Sequence, residues 1–192
     1  MSEIKIGCIV LAAGNSVRFG SNKLMAKLGG KTLIQRTLDA IPVEKLTNIC
    51  VVTQYPIIAD LAVAHGFAAL KNSHPDLGIS KTVSIGISAV SETDAALFMV
   101  ADQPCLSRES VAKLIDFYLE QPEFIAAAGH CGVRGNPCIF PSRYFSELDK
   151  LKGDKGGSVI IERHPNELRI LEIISRQLQD VDTPQQLENM RL

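Results

Sequence analysis

Three places in the chain put charged residues where they can work on a phosphate. The first is Cys8 to Lys23, CIVLAAGNSVRFGSNK, in which Arg18 and Lys23 follow the small residues Ala12, Ala13 and Gly14. Small residues let a backbone approach a ligand closely, so its N–H groups can point at phosphate oxygens, and two cations nearby suit a polyphosphate. The second is Asp102 in VADQP, a carboxylate directly behind an apolar run and of the oxygen type that Mg2+ prefers. The third is Asp180-Val181-Asp182-Thr183-Pro184, near the C-terminus. Each has a plainer reading. The cations can be solvated loop residues, Asp102 can open an Asp-Gln-Pro turn, and Asp182 can favour the start of a helix through its dipole. Strand alternation points Asp180 and Asp182 to the same side, so pattern alone does not separate them.

The elements that must position these residues alternate between strands and helices. Residues 4–11 form an apolar, β-branched run, the pattern of a strand buried on both faces. Helical spacing follows over 32–41, stopped by Pro42, then a strand over 48–53 and a helix over 57–65 ended by Gly66. A short strand over 67–70 leads to a helix over 81–90, for which Ser80 is the expected N-cap. Residues 95–100 are the strand that delivers Asp102, and Ser107 caps a helix whose apolar positions Val111, Leu114, Ile115 and Tyr118 fall at i, i+3, i+4 and i+7. Strands are expected at 124–128, 138–140 and 168–174, with helices at 142–151 and 158–163. Residues 129–137 read as a glycine-rich connection. Thr183-Pro184-Gln185-Gln186 is a capping box with proline at the first helical position, launching a last helix. Gly29-Gly30-Lys31-Thr32 ends like a phosphate-binding P-loop, but Met25 stands where its first glycine belongs, so it reads as a turn.

This order predicts an α/β protein: one Rossmann-like, three-layer α/β/α domain over 1–192 with a mostly parallel sheet. Ligands in such sheets sit beyond the carboxyl ends of strands, where the first strand brings the glycine loop and the fourth brings Asp102. The chain has 192 residues, enough for one domain with a sizeable core. A net charge of −1 gives no basic field for nucleic acid, and 3 Tyr, 7 Phe and no Trp make a poor stacking platform. Five cysteines, with no CxxC and no metal-ligand spacing, fit a reducing cytosol. No basic, apolar leader is read in MSEIKIG and no run reaches the roughly 18 apolar residues of a membrane span, so the expected location is cytoplasmic. No GxGxxG follows the first strand, which argues against an NAD-binding Rossmann protein.

LAAGNSVRFGSNKL resembles the N-terminal signature LAAGxSxRFGxxKL of the nucleotidyltransferases, with the nucleotide-diphospho-sugar transferase-like fold. Leu11, Ala12, Ala13, Gly14, Ser16, Arg18, Phe19, Gly20, Lys23 and Leu24 all stand where the pattern asks. Asp102-Gln103-Pro104 matches the family's DMP or DQP segment, which supplies a ligand of the catalytic magnesium, and the DTP context of Asp182 resembles the segment that completes that site. Gly78, Ser80 and Thr82 fit the family's GMSSSLR segment for base and ribose, whereas Lys81 and Ser84 depart from it. Gly135-Asn136-Pro137 and Gly153-Asp154-Lys155-Gly156 resemble the GNPxxF and GDxG segments of the molybdenum cofactor cytidylyltransferase branch, and Ala13 is closer to that branch than to the glycine-richer guanylyl one. The resemblance implies Arg18, Lys23 and Asp102 as catalytic residues and Asp102 with Asp182 as Mg2+ ligands. It implies Leu11, Ala12, Ala13, Gly14, Gly78, Ser80, Thr82 and Asn136 as nucleotide or acceptor contacts. Residues 1–105 would bind CTP and 106–192 the acceptor molybdopterin, with Arg134 a candidate for its phosphate and a molybdoenzyme or insertion chaperone as a protein partner. His130 has no acid–base partner in sequence and receives no role. The other readings are the same reaction with GTP or with a sugar or polyol phosphate, and a non-catalytic cofactor chaperone. Paired metal ligands weigh against the last, because a pure binder needs none.

Overall fold

In the computed structural model, which describes residues 3–190, a seven-stranded sheet separates two helical layers. The chain runs β1 (Ile6–Ala12), a small hairpin of β2 (Lys27–Leu28) and β3 (Lys31–Thr32), α1 (Leu33–Asp39), β4 (Asn48–Thr53), α2 (Pro56–Ala64) and β5 (Ala68–Lys71). It continues through α3 (Ile79–Ala89), β6 (Ala95–Val100), α4 (Arg108–Glu120), β7 (Ile125–His130), β8 (Val133–Pro141), α5 (Phe145–Asp149), α6 (Gly157–Arg163), β9 (Leu168–Glu172) and α7 (Pro184–Asn189). The two residues at each end of the 1–192 span lie outside the described residues.

The sheet order is β5-β4-β1-β6-β8-β7-β9. Every neighbouring pair is parallel except those made by β8, which runs antiparallel to both β6 and β7. The alternation of β1 explains the three layers. Cys8, Val10 and Ala12 belong to one buried cluster, with Ile34 and Leu38 of α1, Ile58 of α2 and Leu114, Ile115 and Tyr118 of α4. Ile9 belongs to the other, with Val83 and Ile87 of α3, Leu148 of α5 and Ile160 of α6. Each fully buried aliphatic side chain of this kind contributes about 1.5–3 kcal/mol, so a strand buried on both faces is firmly held. The site-bearing ends of β1 and β6 are in register, Leu11 opposite Val100.

The capping signals read for α4 and α7 are present, and α1 carries a capping box that was not singled out. Thr32 and Gln35 form a capping box on α1, Ser107 accepts from the Ser110 N–H on α4, and Thr183 with Gln186 boxes α7. Three expectations are corrected. Helix α3 begins at Ile79 with Gly78 as its N-cap, and the Ser80 hydroxyl makes a long 3.5 Å contact to the Leu77 carbonyl instead of capping. The stretch read as a glycine-rich connection is mostly strand: β7 and β8 form a hairpin through residues 130–133, with Cys131 at φ +50° and Gly132 at φ +75° making the turn. The turn read at Gly29-Gly30 is present, flanked by the two-residue strands β2 and β3. The helix expected over 142–151 is a 3-10 turn, Ser142–Tyr144, followed by the short α5.

Candidate active site

Beyond the carboxyl ends of β1 and β6 lies a cleft of about 390 Å3. Its first wall is the loop after β1. Side chains at the end of β4 take the loop's carbonyls: Thr53 Oγ1 donates to Ala12 O (3.0 Å), Gln54 Nε2 to Ala13 O (2.8 Å) and Tyr55 Oη to Gly14 O (2.9 Å). In a trans peptide the N–H opposes the C=O, so tying these carbonyls toward β4 turns the N–H groups of Ala13, Gly14 and Asn15 the other way. All three residues line the cleft. Ser16 at φ +52° and Gly20 at φ +76° bend the chain onward, and Asn22 caps the 3-10 turn that carries Lys23. Sequence reading missed Thr53, Gln54 and Tyr55. The signal was available, since they sit at the end of a parallel strand beside β1, the usual place for groups that serve a ligand site.

The second wall carries the acids. Asp102 follows β6, and its carbonyl accepts from the Val181 N–H at 2.9 Å, which docks the C-terminal segment onto the end of that strand. Docking brings Asp182 into the cleft, 159 residues from Lys23 in sequence. The Lys23 ammonium bridges the two acids, 2.7 Å from Asp102 Oδ2 and 2.9 Å from Asp182 Oδ1, and Arg18 Nη2 stands 2.8 Å from Asp182 Oδ2. Burial alone pushes Lys23 down, but the Asp102 and Asp182 carboxylates together hold its ammonium above the ordinary lysine range. Hydrogen bonding from Lys23, with its charge and that of Arg18, holds Asp182 below the usual carboxylate value.

Of the two C-terminal aspartates, Asp182 lines the cleft and Asp180 does not. Residues 180–183 are not a strand, so alternation does not govern them. Asp180 turns to Gln103, accepting from its Nε2 at 2.9 Å, and burial together with the Asp102 charge raises its pKa.

The third wall is the start of α3. Gly78 and Thr82 line the cleft, and Thr82 Oγ1 accepts from Asn72 Nδ2 at 3.0 Å. The Gly153–Asp154 loop lies directly against Gly78, where the Ser80 N–H donates to Gly153 O at 3.1 Å, and Asp154 joins the cleft wall. Of the residues singled out from sequence, the cleft brings together Leu11, Ala12, Ala13, Gly14, Arg18, Lys23, Gly78, Thr82, Asp102 and Asp182. It does not bring in Ser80, which is buried within α3's first turn, or Asn136, which lies on β8 before the cis-proline Pro137 and accepts from Cys138 Sγ. Arg134, also on β8, faces Glu162 at 3.6 Å.

The donor set suits a hard divalent cation. Asp102 Oδ1 is buried and has no hydrogen-bond partner, and Asp182 lies close enough to share Lys23 with it. Among the described residues no three His, Cys, Asp or Glu side chains converge on one point. One or two carboxylates plus substrate phosphates is the usual Mg2+ arrangement at phosphoryl-transfer sites, so two aspartates beside a loop whose N–H groups turn toward the cleft fit.

Residues 8–168 match the family described as the MobA-like NTP transferase domain, and the chain belongs to that family. Its class is therefore a nucleotidyltransferase that works on a nucleoside triphosphate. Among curated proteins it is similar to the purine catabolism protein PucB of Bacillus subtilis strain 168, 28% identical over 95% of this chain and 94% of that protein. Among solved structures it is similar to Rv0371c of Mycobacterium tuberculosis H37Rv, 21% identical with a TM-score of 0.81 over 99% of both chains. A manganese complex of Rv0371c superimposes with a TM-score of 0.69 over 88% of each chain, at 21% identity. CMP:2-keto-3-deoxy-manno-octonic acid synthetase, solved with CTP, gives 0.77 over 97% of both chains at 14% identity. The fold is that of the nucleotide-diphospho-sugar transferases, one α/β domain on a mixed, mostly parallel sheet. Among the described residues no helix is long and apolar enough to cross a membrane.

Proposed function

We propose that the chain is a Mg2+-dependent cytidylyltransferase that transfers CMP from CTP to the phosphate of molybdopterin and releases pyrophosphate. The observation that carries this reading is the meeting of Arg18, Lys23, Asp102 and Asp182 beside the Ala13–Asn15 loop in one cleft. Ala13 in the LAAG opening supports cytidine, and the GNP and GDKG segments support a molybdopterin acceptor. The acceptor oxygen belongs to a phosphate that is already anionic near neutral pH, so the site needs no strong general base. That oxygen bonds to the α-phosphorus as the bond from it to the β-phosphate bridging oxygen breaks, and the electron pair leaves with pyrophosphate.

Catalysis in such a step rests on positioning and on cancelling charge. The N–H groups of Ala13, Gly14 and Asn15 receive the triphosphate, and Arg18 and Lys23 supply positive charge toward the departing pyrophosphate. Asp102 and Asp182 would hold a divalent cation, which would supply charge neutralisation at the α-phosphate. The manganese complex of Rv0371c supports such a cation here. Gly78 and Thr82 receive the nucleoside, and the segment from residue 106 onward receives the acceptor.

A thermal-shift series with CTP, GTP, ATP and UTP, each with and without Mg2+, tests the reading. A ligand at a hundred times its Kd stabilises by about 2.7 kcal/mol, roughly 5–11 °C for a domain of this size. The expected result is a Mg2+-dependent shift with CTP alone, followed by pyrophosphate release once molybdopterin is added. A shift with GTP alone refutes the choice of base, and CTP binding without pyrophosphate release refutes the acceptor.

A further inference from the structure

We infer that Lys23 is the resident counter-ion of the Asp102–Asp182 pair and that a divalent cation enters by exchange with it, which obliges metal and triphosphate to bind together. The inference rests on the reading that these two aspartates hold the metal.

One ammonium reaches an oxygen of each carboxylate, 2.7 Å from Asp102 and 2.9 Å from Asp182, while Arg18 takes the second oxygen of Asp182. Three of the four carboxylate oxygens are therefore engaged by cations, and the fourth, Asp102 Oδ1, is buried without a hydrogen-bond partner. A metal that needs oxygens from both acids has to share them with an ammonium already between them. Like charges at that separation repel strongly in a cleft partly screened from water. The Lys23 side chain is only 13% exposed, so it cannot simply turn into solvent from where it stands. It has to move to another anion.

The four side chains carry two positive and two negative charges, which cancel as they stand. A metal arriving alone leaves the cluster with excess positive charge. A triphosphate on the Ala13–Asn15 loop brings negative charge to the same cleft and offers phosphate oxygens to the displaced Lys23. Each ligand removes the obstacle to the other, and by linkage each strengthens the other by the same factor. Lys23 thus serves twice, first as a placeholder on the acids and then as a ligand of the phosphates.

The test is Mn2+ binding without nucleotide, followed by the electron paramagnetic resonance signal of free Mn2+, on the full chain and its variants. Lys23→Met is expected to bind Mn2+ about tenfold more tightly than the unmodified chain, within the usual range of coupling between sites. Lys23→Arg, which keeps the charge, is expected to bind as weakly as the unmodified chain. Circular dichroism checks each fold, and Lys23→Gln gives a second reading should methionine disturb the turn. Lys23→Met and Lys23→Gln binding no more tightly than the unmodified chain overturns the exchange. If Asp102→Asn still weakens Mn2+ binding in that case, the metal reading survives. Lys23→Met binding tightly whether or not Asp102→Asn is added places the metal elsewhere and overturns the metal reading itself.

Discussion

Replacing Gly78 by alanine tests whether the start of α3 and the Gly153–Asp154 loop form one wall of the site. Gly78 sits at φ +82° and ψ −177°, a region open essentially to glycine, and forcing another residue there costs about 1–3 kcal/mol. The new β-carbon would also lie 2.4 Å from the carbonyl carbon of Gly153, 2.5 Å from its oxygen and 2.7 Å from Asp154 N. These are backbone atoms, so the loop has to move, and the Ser80 N–H contact to Gly153 goes with it. For a domain of this size each kcal/mol lowers Tm by roughly 2–4 °C, so strain alone predicts a fall of roughly 2–12 °C, and the collision moves the value toward the upper end. Because Gly78 and Asp154 both line the cleft, nucleotide binding should weaken beyond what lost stability explains. Differential scanning fluorimetry with and without nucleotide reads both effects in one experiment. Gly14→Ala is the control: its β-carbon meets nothing within 4 Å, so stability should stay within about 0.5 kcal/mol while the cleft-lining loop is altered. A Gly78→Ala variant that melts with the unmodified chain and keeps its nucleotide affinity would refute the reasoning.

Asp102→Asn keeps the side chain's shape and removes its charge, so pyrophosphate release should fall about a hundredfold or more while Tm moves by only a few degrees. Full activity in that variant would remove Asp102 from the chemistry. Tyr118 is buried and donates its hydroxyl to the Pro122 carbonyl at 2.9 Å, so Tyr118→Phe should cost about 1 kcal/mol at neutral pH. Burial pushes the Tyr118 phenol up from 10.0 to about 12, and its contribution is therefore full below pH 10 and lost as pH rises through the folded value. In Tm profiles the deficit of Tyr118→Phe should accordingly shrink between pH 10 and 12. A constant gap across that window contradicts the assignment.

Much of the cleft was legible because it is local. The β1 run, the small residues behind it and the aspartate behind β6 are contiguous patterns, and parallel strands carry such loops to one edge. Residue pattern did not show which of Asp180 and Asp182 enters the cleft, only the DTP context favouring Asp182, because the outcome depends on the Val181 N–H meeting the Asp102 carbonyl, a contact between distant segments. The direction of β8 was hidden for a related reason: an apolar run reads the same in either direction, and only its partners β6 and β7 show that it is reversed. Ser80 looked like a cap because its type suits one, yet Gly78 reaches a backbone conformation that serine does not, and the helix starts there. Asn136 matched a motif but lies on β8 outside the cleft wall, since a motif fixes spacing and not the face a side chain finally takes. That Arg18 and Lys23 rest on the acids was not legible either, because opposite charges from distant segments pair only once the fold brings them into one small cleft.

The closure between Lys23 and Asp182 also has a consequence for synthesis. Lys23 and Asp102 are separated by 79 residues and Lys23 and Asp182 by 159, so the last charge of the site is translated long after the first. Contacts that distant carry a loop-closure cost and form late in folding. A nascent chain that has emerged as far as Asp102 holds the glycine loop and one acid, and lacks the group that completes the pair. A fragment that stops short of residue 180 would therefore lack Asp182 and, with it, this closure of the cleft.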